Sequence, residues 1–149
     1  MNTKPVQGQE SQINKVSDNA LVHSIMDTHV ANLYYENRPW GSFYNLADGK
    51  YKMKIIVVTP GQELSVQSHT KRSEKWICIE GMLTINLGYT PETLREYNLY
   101  PNQVIDIPVG SIHQALNKGD KDAVFFELQT GTYFGEDDIV RYSDKYGRK

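Results

Sequence analysis

Residues 61–81 read GQELSVQSHTKRSEKWICIEG. The turn signal Pro60-Gly61 precedes them, and residues 64–69 have the composition of a strand. Side chains alternate along a strand, so Gln67 and His69 are expected on one face. Residues 70–73 are polar and short enough for a hairpin loop, and a second run, residues 74–79, ends at the turn residue Gly81. On such a hairpin Glu74 faces Gln67 and His69 across the strand pair. Imidazole, carboxylate and amide oxygen form a mixed nitrogen and oxygen set. It suits Zn²⁺, Fe²⁺, Mn²⁺, Co²⁺ or Ni²⁺ and does not choose among them.

A second segment, residues 101–117, reads PNQVIDIPVGSIHQALN. Pro108-Val109-Gly110 is a turn signal, and His113 stands just past it at the head of a strand expected over 113–117. A lone His beside a Glu is most often a hydrogen-bonding residue. A second His delivered by a distant segment shifts the balance towards one metal site.

The two segments resemble the cupin motifs. The first follows G-x5-H-x-H-x4-E-x6-G through Gly61, His69, Glu74 and Gly81, with Gln67 in place of the first His. The second follows G-x5-P-x-G-x2-H-x3-N through Pro108, Gly110, His113 and Asn117, with Asn102 in place of the opening Gly. The flanking stretches resemble the cupin domain of type II mannose-6-phosphate isomerases, often fused to a mannose-1-phosphate guanylyltransferase. They are Arg38-Pro39-Trp40-Gly41, Leu64-Ser65, the run from Gly135 to Arg141, Asp144, and Tyr146-Gly147-Arg148. The resemblance implies a cupin barrel of the jelly-roll type and a metal held by Gln67, His69, Glu74 and His113. Zinc is the first expectation, with Co, Mn, Ni or Fe as alternatives. It implies interconversion of mannose 6-phosphate and fructose 6-phosphate. Arg72 is then expected as a catalytic and phosphate-binding cation, because a planar guanidinium suits phosphate. Lys71, Arg141 and Arg148 are further phosphate candidates, and Glu127 is the expected base.

One departure stands out: Lys75 occupies the place where relatives carry His after the ligand Glu. Strand alternation turns position 75 away from the metal. Two other classes remain open, a metal cupin with different chemistry (a dioxygenase, or another sugar isomerase or epimerase) and a sugar-phosphate-binding module without turnover. Metal identity, oxygen consumption and turnover separate them.

At 149 residues the chain supports one domain, expected over 18–149 behind a flexible polar tail, 1–17. A net charge of −2 and a pI near 6.1 point away from nucleic acid and anionic membranes. The single Cys78 excludes an intrachain disulfide. No leader or long apolar run is seen, so the cytoplasm is the default. Leu21, Val22, Ile25, Met26, Val30 and Leu33 lay one apolar stripe on a helix over 18–33, capped by Asp18 and packed on the domain. His23 and His29 face different sides of it and receive no metal role.

Beyond it, strands are expected over 41–45, 51–59, 82–87, 93–99 and 123–129, with Gly and Pro turns between them. That is an all-β sandwich or barrel. Residues 51–59 are apolar on both faces, which fits a sandwich or a dimer interface, and a homodimer is expected by analogy of fold. The acidic run at 135–138 is expected to start a short C-terminal helix with Arg141 near its end. No Gly-rich phosphate loop is present, so guanylyl transfer is excluded as an activity of this chain.

Overall fold

The computed structural model describes residues 33–149. Its strands, in chain order, are β1 (Tyr34–Arg38), β2 (Gly41–Asp48), β3 (Tyr51–Val58), β4 (Val66–Ser68), β5 (Arg72–Glu80) and β6 (Leu83–Gly88), followed by β7 (Arg95–Leu99), β8 (Val104–Ile107), β9 (Ile112–Leu116), β10 (Ala123–Gly131) and β11 (Val140–Ser143). They form a six-stranded sheet, β1-β2-β3-β10-β5-β8, and a five-stranded sheet, β11-β4-β9-β6-β7. The expected all-β architecture is present. The expected tail, 1–17, and the helix over 18–33, save Leu33, lie outside the described residues. Among the described residues no helix is long and apolar enough to cross a membrane.

Period-two alternation builds the core. On β3, β5 and β10 one set of side chains turns towards the other sheet. Ile56, Val58, Trp76, Cys78, Ala123 and Phe125 from that set are all buried. They pack with Leu83, Ile85 and Ala115 of the five-stranded sheet and with Trp40. The same inward parity carries Lys52, Arg72, Glu74, Glu127 and Gln129, also buried, towards one end of the sandwich. The outward parity is apolar as well. The register aligns Tyr35, Tyr44, Ile55, Phe126, Ile77 and Val104 in one row across all six strands. Lys75 points outward too, paired with Asp106 at 2.8 Å, which bears out the alternation argument for that position.

Two expectations are corrected. First, residues 64–79 are not a hairpin. Strand β4 pairs with β9 and β11, whereas β5 pairs with β10 and β8. Every edge is already taken, so residues 69–71 carry the chain from one sheet to the other. Second, the C-terminal helix is only a 3-10 turn, Glu136–Asp138, and Arg141 lies in strand β11 opposite Gln67. The β-branched Ile139 and Val140 favour extension, and the open edge of β4 supplies backbone partners. Ahead of the strands expected from the sequence, β1 pairs along its length with β2.

The replacement of the motif's opening Gly by Asn102 has a simple account. Asn102 has φ of 73°, the left-handed region that Asn tolerates better than other side chains, and its N–H bonds the Cys78 carbonyl at 2.8 Å.

Candidate metal centre

His69 follows β4, Glu74 lies in β5 and His113 in β9, so two sheets contribute. Their ligand-type atoms all lie within 4.8 Å of one another, and all three side chains are buried. Glu74 Oε1 is 3.2 Å from His69 Nε2, and Glu74 Oε2 is 3.7 Å from His113 Nε2. The other nitrogen of each ring is committed. His69 Nδ1 lies 3.0 Å from the Asp138 carbonyl oxygen and His113 Nδ1 lies 3.1 Å from that of Ser111. A carbonyl only accepts, so each Nδ1 carries the hydrogen. In the neutral rings, both Nε2 lone pairs then face carboxylate oxygens. Acceptors so arranged could share a metal ion. His113 Nε2 is buried and, among the described residues, has no hydrogen-bond partner, so its lone pair is available to one.

The electrostatics agree. Burial pushes the His113 pKa down and outweighs the pull of Glu74, which favours the neutral ring, the form that coordinates metal. Burial alone raises the pKa of Glu74. The His69 hydrogen bond and the charges of His113, His69 and Arg72 outweigh it, and the carboxyl stays below its ordinary range. Trp76 Nε1 donates to Glu74 Oε2 at 2.9 Å and orients it. A two-nitrogen and carboxylate set suits a transition-type divalent ion and not an all-oxygen Ca²⁺ or Mg²⁺ cage.

Glu74 brings the cluster to the wall of a cavity of about 190 Å³, which Gln67, Arg72, Glu127, Arg141 and Arg148 also line; His69 and His113 are not among its lining residues. Six of the sequence-derived residues therefore meet in one place, with His69 and His113 behind them. Gln67 Oε1 accepts a bond from Ser65 Oγ at 3.1 Å. Arg72 is buried against the cluster, with Nε 3.5 Å from Glu74 Oε1 and Nη2 3.4 Å from His69 Nε2. Arg148 is held by Asp144, Nη2 to Oδ1 at 2.8 Å. Arg141 Nη1 bonds the Lys149 carbonyl at 3.1 Å. Lys71 is not among the lining residues. It is exposed, with Nζ 5.1 Å from the centre of the Tyr133 ring.

Glu127 is buried, and its pKa is pushed up to about 7. Burial is the main cause and the Glu74 charge the next, while Lys54, the bond from Gln129 and Arg72 pull it down. Gln129 Nε2 donates to Glu127 Oε1.

The sequence reading missed Lys54, which lines the cavity opposite Glu127 in the β3–β10 register. Its parity with Ile56 and Val58 was the available signal. Burial pushes its pKa down, with Lys52 adding to that and Glu127 opposing.

Together the two-sheet fold and this buried His/His/Glu set define a cupin with a site able to hold a metal ion. The chain matches the family described as "Mannose-6-phosphate isomerase C-terminal" over residues 25–144, and it belongs to that family. It is 40% identical over 112 residues to the Xanthan biosynthesis protein XanB of Xanthomonas campestris, covering 74% of this chain and 23% of that protein. It is 41% identical over 112 residues to a mannose-1-phosphate guanylyltransferase of Salmonella montevideo, with the same coverage of 74% and 23%. The chain thus spans about a quarter of the length of these relatives. Among solved structures it is similar to the capsular polysaccharide assembling protein CapF of Staphylococcus aureus, with TM-score 0.65, 23% identity, and 72% of this chain and 33% of that chain covered. An oxalate decarboxylase of Lactobacillus farciminis gives TM-score 0.63 at 18% identity, covering 76% and 35%. At those identities the structural likeness speaks for the fold alone.

Proposed function

We propose that this chain is a metal-dependent aldose–ketose isomerase acting on mannose 6-phosphate and fructose 6-phosphate. The observation that supports it most is the buried carboxyl of Glu127, poised near neutrality beside the His69/Glu74/His113 cluster. His69, Glu74 and His113 would hold the ion, with Gln67 as a fourth donor and Zn²⁺ as the first candidate. The ion's contribution when bound is Lewis-acid polarisation of the adjacent carbonyl and hydroxyl oxygens of the sugar.

The chain's own residues supply the rest. Glu127 takes a proton from one of the two adjacent carbons and returns it to the other, through an enediolate, while the hydroxyl proton passes from the one sugar oxygen to the other. A base with pKa near 7 is suited to both directions. Gln129 fixes one Glu127 oxygen, leaving the other for the substrate. Arg72, packed against Glu74 and His69, keeps positive charge where negative charge develops on the sugar oxygens. Arg141 and Arg148 line the cavity and would take the phosphate, whereas Lys71 is not among its lining residues. A homodimer is part of the same proposal, supported by the outward apolar row on the six-stranded sheet, which spans roughly 24 Å at the usual strand spacing. Light scattering on the eluted protein at micromolar concentration should give twice the chain mass. A monomer removes that part.

The test is a coupled assay on chelator-stripped protein supplied separately with Zn²⁺, Co²⁺, Mn²⁺, Ni²⁺ and Fe²⁺. Fructose 6-phosphate formation that needs metal and is lost in His113→Ala is expected. Stoichiometric metal uptake with no turnover on any of them would sink the isomerase reading.

A further inference from the structure

The metal ligands come from residues 67–113, yet the group that aims one of them lies near the C-terminus. Asp138 closes the 3-10 turn Glu136–Asp138 and is buried. Its carbonyl takes the Nδ1 hydrogen of His69, 69 positions earlier in the chain. Its carboxylate grips the next two residues. Oδ1 accepts from Thr70 N at 3.1 Å and from Thr70 Oγ1 at 2.6 Å, and Oδ2 accepts from Lys71 N at 2.9 Å. Those residues form the crossing that carries the chain from His69 in one sheet to Arg72 and Glu74 in the other. A few residues earlier, Gly135 O lies 3.4 Å from Arg72 Nη1. One short turn therefore touches His69, the crossing and Arg72.

From this geometry we infer that Asp138 is the positioning residue of the metal centre. It fixes the tautomer of His69 and the relative placement of His69 and Glu74, without itself reaching the ion. The inference rests on the metal-centre reading above but not on any particular turnover. The fold has little need of the contact. Thr70 and Lys71 are exposed, so water can replace the carboxylate on their N–H groups. The pairing of Val140 with Ser68 and Arg141 with Gln67 holds the C-terminal strand in place independently. What water cannot supply is direction. The acceptor of His69 Nδ1 is the main-chain oxygen of Asp138, which any substitution keeps; the carboxylate adds the clamp between that carbonyl and the 70–71 backbone, without which carbonyl and ring lose their fixed mutual geometry, and such losses typically weaken metal affinity by about 10–100-fold.

The experiment uses the full chain and Zn²⁺ competed against a chromogenic chelator. Asp138→Ala and Asp138→Asn are expected to bind Zn²⁺ about 10–100-fold more weakly, with the metal-free unfolding midpoint close to wild type. Asn serves where Ala folds poorly. It keeps one acceptor for Thr70 but sets an amide N–H against that of Lys71. Asp137→Asn is the control, since it makes the same charge change one residue away, where the carboxylate bonds only Tyr133. It is expected to leave affinity unchanged. In the metal-free protein, ¹⁵N resonances of the imidazoles should report one Nδ1–H tautomer for His69 in wild type and a mixture in Asp138→Ala. A purely structural role would not produce that change. Affinity within twofold of wild type in both Asp138 variants overturns the inference, as does an equal loss in Asp137→Asn, which would assign the effect to net charge. Wild-type protein that binds no Zn²⁺ overturns the metal centre itself, an outcome distinct from the other two.

Discussion

The inward face of the six-stranded sheet has two ends built from the same strands. At one end β3, β10 and β5 present Ile56 and Val58, Phe125 and Ala123, and Trp76 and Cys78. At the other they present Lys52 and Lys54, Glu127 and Gln129, and Arg72 and Glu74. Each strand changes character midway while its parity is kept. The apolar end needs only burial and close packing. The polar end buries charge, which is unfavourable unless each group finds a partner or an ion. Trp76 sits at the junction. Its ring packs on Phe125 at 4.9 Å between centroids and edge-on to His113 at 5.6 Å, and its N–H bonds Glu74. One end holds the sandwich together, and the other is tolerated because of what it does.

That contrast is open to attack at either end. The largest effect is expected at the apolar end. Phe125 is fully buried, so Phe125→Ala should lower stability by about 3–5 kcal/mol while leaving Zn²⁺ affinity near wild type in whatever fraction remains folded. Urea titration with a parallel metal titration reads both. A loss confined to metal binding would dissolve the distinction between the ends.

Glu127 is the next test, and its sign is opposite. Its folded pKa of about 7 exceeds its ordinary value of 4.5, so the native state holds a proton that the unfolded chain releases. Stability from this group is fully present below about pH 4.5 and falls as pH rises through 7, by about 3 kcal/mol in all. His113, whose folded pKa is lowered, slopes the other way, so the useful quantity is the difference between wild type and Glu127→Gln. In metal-free protein the Gln variant should gain on wild type between pH 5 and pH 8, and turnover in the metal-loaded variant should disappear. If the two proteins track each other across that range, Glu127 is not the strained group it is taken to be here.

The smallest effect belongs to neither end. Asn102→Ala places a side chain with less tolerance in the left-handed region, for a loss of about 1 kcal/mol, and Asn102→Gly should be neutral or slightly stabilising. Thermal melts of the pair would show it.

Much of the site was legible because alternation is a short-range rule. Gln67 and His69, Glu127 and Gln129, and the outward turn of Lys75 all follow from counting by two. The same count on residues 51–59 would have delivered Lys54, but its neighbours made that strand look purely apolar. The crossing at residues 69–71 was not legible, because a short polar stretch such as 70–73 reads the same whether it closes a hairpin or bridges two sheets. Only the competition for strand edges settles that, and it depends on β8, β9, β10 and β11, all distant in sequence. Asp138 was hidden for a related reason. It stands in the run from Gly135 to Arg141 that carries the resemblance, but its part is played by a backbone carbonyl and by a cap on a remote loop, and the run does not say which residues those reach.

The crossing has a kinetic consequence. His69 and Glu74 are neighbours in sequence, but His69 directly follows a strand of one sheet and Glu74 lies in the other, and the group that orients His69 arrives 69 positions later. Contacts of such long span form late on the way to the native state, after much loop entropy has been given up. The metal-binding geometry is then largely absent from the folding barrier and complete only after it. An ion that binds there would leave the refolding rate nearly unchanged and slow unfolding instead, as expected for an interaction made beyond the transition state. Stopped-flow rates with and without Zn²⁺ would show one arm of the chevron moving and the other standing still. The ion would act as a latch on a finished barrel, and not as a seed for its assembly.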